Sequence, residues 1–368
     1  MRGHRMKKRL HAVKIRTGAV PGLISVVLPV YNGAVYLGEA IESVMAQTEP
    51  HWELWIVDDG SCDDSGAIAD RYAACDKRIH VIHQSNQKLP AALNCGFAAA
   101  KGEYYTWLSA DNRMLPHCLA ALSGALRRHS DWDMVFGNEY LIDENGKRIT
   151  GHGWFELPPG SGRVCFPPAT PLLNTVANNT IGAAFLYRAG VDAVLGGYSK
   201  NLYLLEDYDY FMRVNSLFRI RHIKERAPIY EYRFHADSLT AHDTELGITA
   251  RRPQLMRFDA LRRRALHMPL SAFLIGASPT QKRVFLRSGF TEDGDGTPIA
   301  FCSEESARPA DGYTVTKRPD GFMIASGGLP LASLKTLNMA ADFLWLCIYC
   351  ARFRREEAGF FKEQYRSP

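Results

Sequence analysis

The run WELWIVDDGSCDDSG, residues 52–66, sets an apolar stretch directly against four aspartates and two glycines. An apolar run of this length reads as a strand buried on both faces, as in a parallel sheet. The carboxylates at its end cost desolvation energy unless something pairs with them. In an open parallel sheet, ligands bind at the carboxyl ends of the strands. A knot of acids at that position therefore points to a site.

The flanking residues extend the pattern. ISVVLPV (residues 24–30) is continuous and β-branched, and AVYLGEAIESVMAQ then sets Leu37, Ile41, Val44 and Met45 on one helical face. SGAIADRYAAC reads as a helix, IHVIHQ as a strand, LPAALNCGFAAAKG as a helix ended by Gly102, and YYTWLS as a fourth strand. Alternation at this spacing predicts an α/β fold built on a doubly wound, mostly parallel sheet with right-handed crossovers. Beyond the helix PHCLAALSGALRRH, DMVFGNEYLIDENGKRI predicts a hairpin turning at Asn145-Gly146. Residues 151–177, rich in Gly and Pro, predict an ordered loop over a cleft. TIGAAFLYR, a helix from about Asp207 to Phe218, and APIYEYRFH resume the alternation. From Pro269, SAFLIGAS, TQKRVFLRSG, TPIAFCS and GFMIAS read as a second, small α/β unit.

Composition narrows the class. The 368 residues are 46% hydrophobic and 23% charged, ordinary globular material. A net charge of +5 is too small to imply nucleic acid as a partner. Seven Lys/Arg and no acid fall in the first eighteen residues, a basic tail that is either plain solvated chain or attracted to anionic lipid. No run reaches the ~18 apolar residues of a membrane span; FLWLCIYCA (343–351) reads as a buried helix, with interfacial docking the alternative. Eight scattered cysteines fit a reducing, cytoplasmic setting, and the CxxC of Cys347 and Cys350, with no second pair, reads as core.

Three strand ends carry the chemistry: PVYNG, DDGS and SADN. With the sheet drawn as above, Asp58, Asp59 and Asp111 converge on one crevice. Two acidic clusters at one edge suit a hard cation that leaves positions open for phosphates.

With those residues in view, the chain resembles the family 2 glycosyltransferases, inverting enzymes of the GT-A fold. The likeness runs from Ile24 to about Thr240, through ISVVLPVYNG, WELWIVDDGS, NQKLPAALNCGFAAAKGEYYTWLSADN, LLEDYDYFMRV and YRFHADSLT. The resemblance implies that Pro29, Val30 and Tyr31, with Asp58 and Asp59, hold a nucleotide. Asp59 would accept from the ring N–H of a uracil-type base; Asp58 either joins it or caps its own turn. Lys88 would sit near the base or diphosphate, unless it is a plain surface lysine. Asn94 is either structural or nucleotide-facing. Asp111, beside the neutral Asn112, corresponds to the acid that meets Mn²⁺ or Mg²⁺. Most relatives carry two acids in that window, and SADN has one. Asp207 corresponds to the general base and Glu206 to its support. Asp209, two positions on, would face away. His235 would complete the metal shell or serve the fold, and Arg233 would oppose phosphate charge or pair with an acid.

The resemblance implies transfer of a sugar from a UDP- or dTDP-linked donor to a saccharide or glycolipid hydroxyl in cell-envelope polysaccharide synthesis, cytoplasmic or peripheral to the inner membrane face. A catalytically silent nucleotide-sugar-binding protein is the rival; a nucleotidyltransferase would need a basic residue that PVYNGAVYLG lacks. The expected division is a tail over 1–22, a GT-A domain over 23–250, a basic helical linker over 251–268, and a Rossmann-like unit over 269–368. The last is weakly similar to sugar-nucleotide modules, but GASPTQ lacks two glycines of GxGxxG. It is expected to be structural or to support a homo-oligomer.

Overall fold

A computed structural model describes residues 18–150, 158, 160–167, 170, 173–176, 178–224, 227–302 and 312–361. Nearly all of the basic tail and part of the 151–177 segment lie outside these residues. The chain forms two compact units, one of Val20–Arg188 with Gly197–Asp259, the other including Ala189–Gly196 and the chain from Ala260.

In the first unit the chain runs β1 (Val20–Val30), α1 (Ala34–Met45), β2 (Trp52–Asp58), α2 (Ser65–Cys75), β3 (Ile79–His83), α3 (Leu89–Ala99), β4 (Gly102–Trp107), β5 (Arg113–Met114), α4 (Cys118–Arg128), β6 (Met134–Phe136), β7 (Glu139–Ile142), β8 (Arg163–Val164) and β9 (Phe185–Arg188). Helix α5 (Ala189–Leu195) belongs to the second unit, after which α6 (Glu206–Leu217), β10 (Ile220–His222), β11 (Tyr230–Arg233) and α7 (Asp243–Leu246) complete the first. The division falls within α8 (Ile248–Ala265).

The main sheet has the order β10-β6-β9-β4-β1-β2-β3. Only β9 runs against its neighbours, so the sheet is parallel-dominated as the alternation requires. β1 and β2 are in register from Ile24↔Trp52 to Val30↔Asp58, which brings their carboxyl ends to the same edge. Ile24, Val26, Leu28 and Val30 pack with Leu37, Ile41 and Val44 of α1 on one face. Val27 and Val57 meet α3 on the other, where Gly96 allows the helix to lie close. Each such fully buried side chain contributes about 1.5–3 kcal/mol. Met45, expected on the buried face of α1, is instead 36% exposed.

The expected hairpin at Asn145-Gly146 is only partly formed. A turn closes from Asp143 to Lys147, followed by a single bridge between Ile142 and Arg148. The strand before it splits: β6 stays in the main sheet between β9 and β10, while β7 enters a second sheet of order β5-β11-β7-β8. The physical reason lies in Met134, Val135 and Phe136, all fully buried; such a strand needs cover on both faces, which an isolated hairpin lacks.

The second unit holds β12 (Leu270–Ile275), α9 (Pro279–Arg287), β13 (Phe290–Glu292), β14 (Thr297–Cys302), β15 (Tyr313–Arg318), β16 (Gly321–Ser326), β17 (Leu329–Leu334) and α10 (Leu337–Phe361). Its sheet, β13-β12-β14-β15-β16-β17, is parallel as far as β15 and antiparallel beyond. Helix α10 packs on α5 and α9 and buries Cys347 and Cys350. No described helix is long and apolar enough to cross a membrane.

The α3–sheet contact is a sensitive point. A Cβ at Gly96 would stand 2.5 Å from Val27 Cγ1 and 3.2 Å from Val57 Cγ2. Gly96→Ala should therefore destabilise by about 1–3 kcal/mol through overpacking, read as a lower midpoint in urea unfolding.

Candidate functional site

The loops after β1 and β2 are stitched together before any ligand is considered. Asn32, at φ 52°, accepts from the Cys62 N–H through Oδ1 at 2.8 Å, and its own N–H donates to Ser61 Oγ at 3.0 Å. Ser65 Oγ accepts from the Gly33 N–H and Asp63 from the Ala34 N–H, each at 3.0 Å. Pro29 and Val30 are buried inside β1, so of the expected nucleotide-contacting trio only Tyr31, 52% exposed, presents its side chain.

The two adjacent aspartates have different fates. Asp58 Oδ1 accepts from the Ser61 N–H at 3.0 Å, and Oδ2 meets His83 Nδ1 at 2.9 Å. Burial works to raise the Asp58 pKa, but the Ser61 and His83 hydrogen bonds outweigh it and hold the carboxyl below its usual range. His83 also reaches Asp70 at 3.1 Å. Both oxygens of Asp58 thus serve the turn. Asp59, 3% exposed, accepts through Oδ1 from Gln84 Nε2 at 2.7 Å and the Gln87 N–H at 2.9 Å. Gly60, at φ 79°, permits that approach, since a Cβ there would lie 2.8 Å from the Asn86 nitrogen.

Asn94 is occupied on both sides. Its Nδ2 donates to the Tyr198 carbonyl and its Oδ1 accepts from the Tyr198 N–H, each at 2.8 Å. The nucleotide-facing reading of Asn94 is corrected to a structural one, a lock between α3 and the chain ahead of α6. Lys88 opens α3 at φ 72°, ψ 161°, a region almost reserved for glycine, with Nζ 6.0 Å from the centroid of the Tyr203 ring.

Around Asp111 the structure is dense. Asp111 Oδ2 lies 3.2 Å from His235 Nε2, while Oδ1 is buried with no hydrogen-bond partner. Arg233 is 1% exposed and turns inward: Nε donates to the Asp111 carbonyl at 2.7 Å, Nη1 to the Glu144 carbonyl at 2.9 Å, and Nη2 to Glu39 at 2.6 Å. The Arg233 N–H donates to Asn112 Oδ1 at 2.7 Å. Arg233 and Asn112 thus brace the turn that carries Asp111, and Arg233 is not free to oppose a phosphate. The orphaned Oδ1 and the neighbouring imidazole suit a divalent cation whose remaining positions a ligand would fill. Among the described residues no group of three or more His, Cys, Asp or Glu side chains gathers to hold a metal.

At the start of α6, Glu206 is 4% exposed and accepts through Oε2 from the Leu204 N–H at 2.6 Å. Burial raises the Glu206 pKa to about 8, with the Asp207 charge adding to it. Asp207 is also held above its usual range by burial, against donors that include the Tyr208 N–H and Asn179. Asp207 Oδ2 accepts from Asn179 Nδ2 at 3.1 Å. Asp209 points elsewhere, fully buried on Arg213 Nε at 2.8 Å.

Two tyrosines tie these groups together. Burial raises the Tyr203 hydroxyl, and the charges of Glu206 and Asp59 raise it further. Burial likewise raises Tyr232, joined by the charges of Asp111, Glu139 and Asp207. Tyr203 thus feels the charges at residues 59 and 206, and Tyr232 those at residues 111, 139 and 207. Sequence reading missed Glu139, Asn179 and Tyr203, which sit in a strand or loops with no motif of their own, and Tyr232, which opens the YRFHADSLT motif but was given no role.

Glu139 is fully buried; Oε2 accepts from the Ala183 N–H at 3.1 Å and Oε1 has no partner. Burial raises its pKa from 4.5 to about 7. Between those values the folded chain holds a proton that the unfolded chain releases, so stability falls as pH rises, by about 3 kcal/mol in all. Glu139→Gln should remove that fall: its melting temperature should gain on wild type between pH 4.5 and 7 and keep a constant lead above.

Residues 25–196 match the family described as glycosyl transferase family 2. Among curated relatives, glycosyltransferase GlyG of Streptococcus pneumoniae serotype 4 is 41% identical over 124 residues, covering 33% of this chain and 41% of the relative. An uncharacterized glycosyltransferase of Rickettsia prowazekii is 31% identical over 203 residues, 53% of this chain and 60% of the relative. The chain spans less than two thirds of either. Of solved structures, residues 1–349 of S. aureus TarS in complex with UDP-GlcNAc superpose with a TM-score of 0.47 at 16% identity, covering 66% of this chain and 72% of that one.

Proposed function

Because residues 25–196 are a family 2 glycosyltransferase domain, we propose that this chain transfers a sugar from a nucleotide-diphosphate donor, UDP- or dTDP-linked, to an acceptor hydroxyl with inversion. The observation that carries the reading is Asp207 at the opening of α6, held at both carboxylate oxygens by the Tyr208 N–H and the Asn179 amide, together with Asp111, whose Oδ1 is buried without a hydrogen-bond partner.

In this reading Asp59 takes the base, and Lys88 lies toward the diphosphate. Asp111 and His235 would hold Mn²⁺ or Mg²⁺, which supplies charge to stabilise the departing diphosphate. Asp207 accepts the acceptor's proton as the acceptor oxygen bonds to the anomeric carbon. The bond from that carbon to the diphosphate oxygen breaks, and its electron pair leaves with the nucleotide. A single displacement inverts the centre. Burial raises the Glu206 pKa and so favours its neutral form, which limits the negative charge beside the base. A saccharide or glycolipid acceptor in envelope synthesis follows from the family resemblance.

Asp207→Asn keeps the shape and removes the base. With a panel of UDP-, dTDP- and GDP-sugars and Mn²⁺, the variant should bind nucleotide as wild type does in thermal shift and lose at least 100-fold in turnover, a typical general-base contribution. Wild-type turnover in the variant would overturn the assignment; donor binding without turnover in the wild type would favour the silent binding protein.

Lys88 yields a separate test. Relief of its backbone strain is worth about 1–3 kcal/mol, less the ~0.5–1 kcal/mol of extra freedom that glycine has when unfolded. Lys88→Gly should melt a few degrees higher while its KM for the nucleotide-sugar rises several-fold. Lys88→Ala should show the higher KM without the gain in stability.

A further inference from the structure

Asn179 approaches Asp207 from a segment that the structure pins at both ends. On one side, the Tyr208 hydroxyl donates to the Leu173 carbonyl at 3.0 Å and the Val176 carbonyl at 2.8 Å. On the other, Glu139 accepts the Ala183 N–H at 3.1 Å. Gly182 stands between them at φ 71°, where a Cβ would meet the Phe166 ring at 2.4 Å. The amide of Asn179 has one orientation available. Its Oδ1 accepts from the Ile181 N–H at 3.1 Å, so Nδ2 is the atom turned to Asp207 Oδ2. The other carboxylate oxygen, Oδ1, accepts from the Tyr208 N–H at 2.6 Å. Asp207 is thus gripped at both oxygens, by its own helix and by Asn179.

We propose that Asn179 is a positioning residue for transfer, its locked amide holding Asp207 Oδ2 in the orientation from which the carboxylate takes the acceptor's proton. The inference rests on Asp207 being the base. The same geometry bears on the charge of the base, because a donor to Oδ2 favours the charged carboxylate against burial. Among the described residues, the charged or titratable groups that act on or with Asp207 include Glu206 and Tyr208 on α6, Arg252 on α8 and Tyr232 on β11. Arg252 works in the same direction as Asn179, so removing Asn179 weakens the ionised form without abolishing it.

The test compares wild type, Asn179→Ala, Asn179→Ser, Asp207→Asn and the two double variants that combine Asp207→Asn with each Asn179 change, using the best donor from the same sugar-nucleotide panel plus Mn²⁺. Serine keeps an oxygen for Ile181 but is too short to reach Asp207. In both Asn179 variants the acid limb of kcat/KM should move up by about one pH unit, as loss of one hydrogen bond to a charged group implies. Activity should then fall towards ~10-fold on the acid side of the wild-type limb and recover to within ~3-fold well above it, with the donor KM unchanged. Their melting temperatures should also change with pH differently from wild type between pH 4 and 8, a difference that Asp207→Asn should erase in the double variants. A uniform loss of activity at every pH, or an unmoved limb, with Asp207→Asn inactive, would overturn the role of Asn179 and leave the base assignment standing. Full activity in Asp207→Asn would instead overturn the base assignment beneath it.

Discussion

The parallel pairing of β1 with β2, in register to Val30↔Asp58, is the constraint on which the rest depends. It places two loops at one edge of an apolar sheet, and the side chains behind them are nearly all fully buried. A slip of one residue would move Asp58 and Asp59 each to the other face and set Ile56 and Val57 against the wrong helices. The acidic rim is therefore fixed by hydrophobic packing, far more firmly than its own polar contacts could fix it. That order of strength suits a site whose charges repel one another: the sheet supplies stability, and the rim draws on it.

Each carboxylate at the rim answers the desolvation problem in its own way. Asp58 is fully engaged by Ser61 and His83 and behaves as part of the turn. Asp59 has two donors on one oxygen. Asp111 keeps one oxygen buried without a partner, an arrangement expensive in an empty site and useful where a cation arrives. Glu206 meets burial by holding its proton, and Asp207 has two hydrogen-bond donors that oppose it.

The sheet was legible in the sequence because fully buried parallel strands leave predominantly apolar runs, and ISVVLPV and WELWIV are such runs, broken at Ser25 and Glu53, which hydrogen-bond each other. The acids at their ends were legible by contrast with those runs, though Asp58 proves to serve its own turn. What the sequence could not give was direction. Arg233 lies two residues before His235 in one motif, yet the structure turns it inward onto Asp111, Glu144 and Glu39. Asn94 sits at a plausible spacing and proves to be a backbone lock. The departure of β7 to a second sheet was hidden because local turn chemistry at Asn145-Gly146 says nothing of whether the preceding strand is covered on both faces. Glu139 was hidden with it: an acid in EYLI looks solvent-facing until that strand is buried.

Backbone strain adds an independent line to the same conclusion. Among the described residues, positive φ outside glycine occurs at Asn32, Lys88 and Leu204. These lie just after β1, at the start of α3 and just before Glu206, three segments far apart in the chain. Asn32 tolerates the conformation through its side-chain bond to Cys62. Leu204 has no such excuse, and its N–H is held by Glu206 at 2.6 Å, so the strain is tied to the buried acid itself. Strained positions persist where the surroundings over-determine them and where glycine would have lost something needed. All three lie beside acids of the rim or their hydrogen-bond partners: Asn32 against Cys62, Lys88 next to the Gln87 N–H that meets Asp59, and Leu204 on Glu206. A rim that must hold its charged groups in fixed directions before a ligand arrives accounts for it directly.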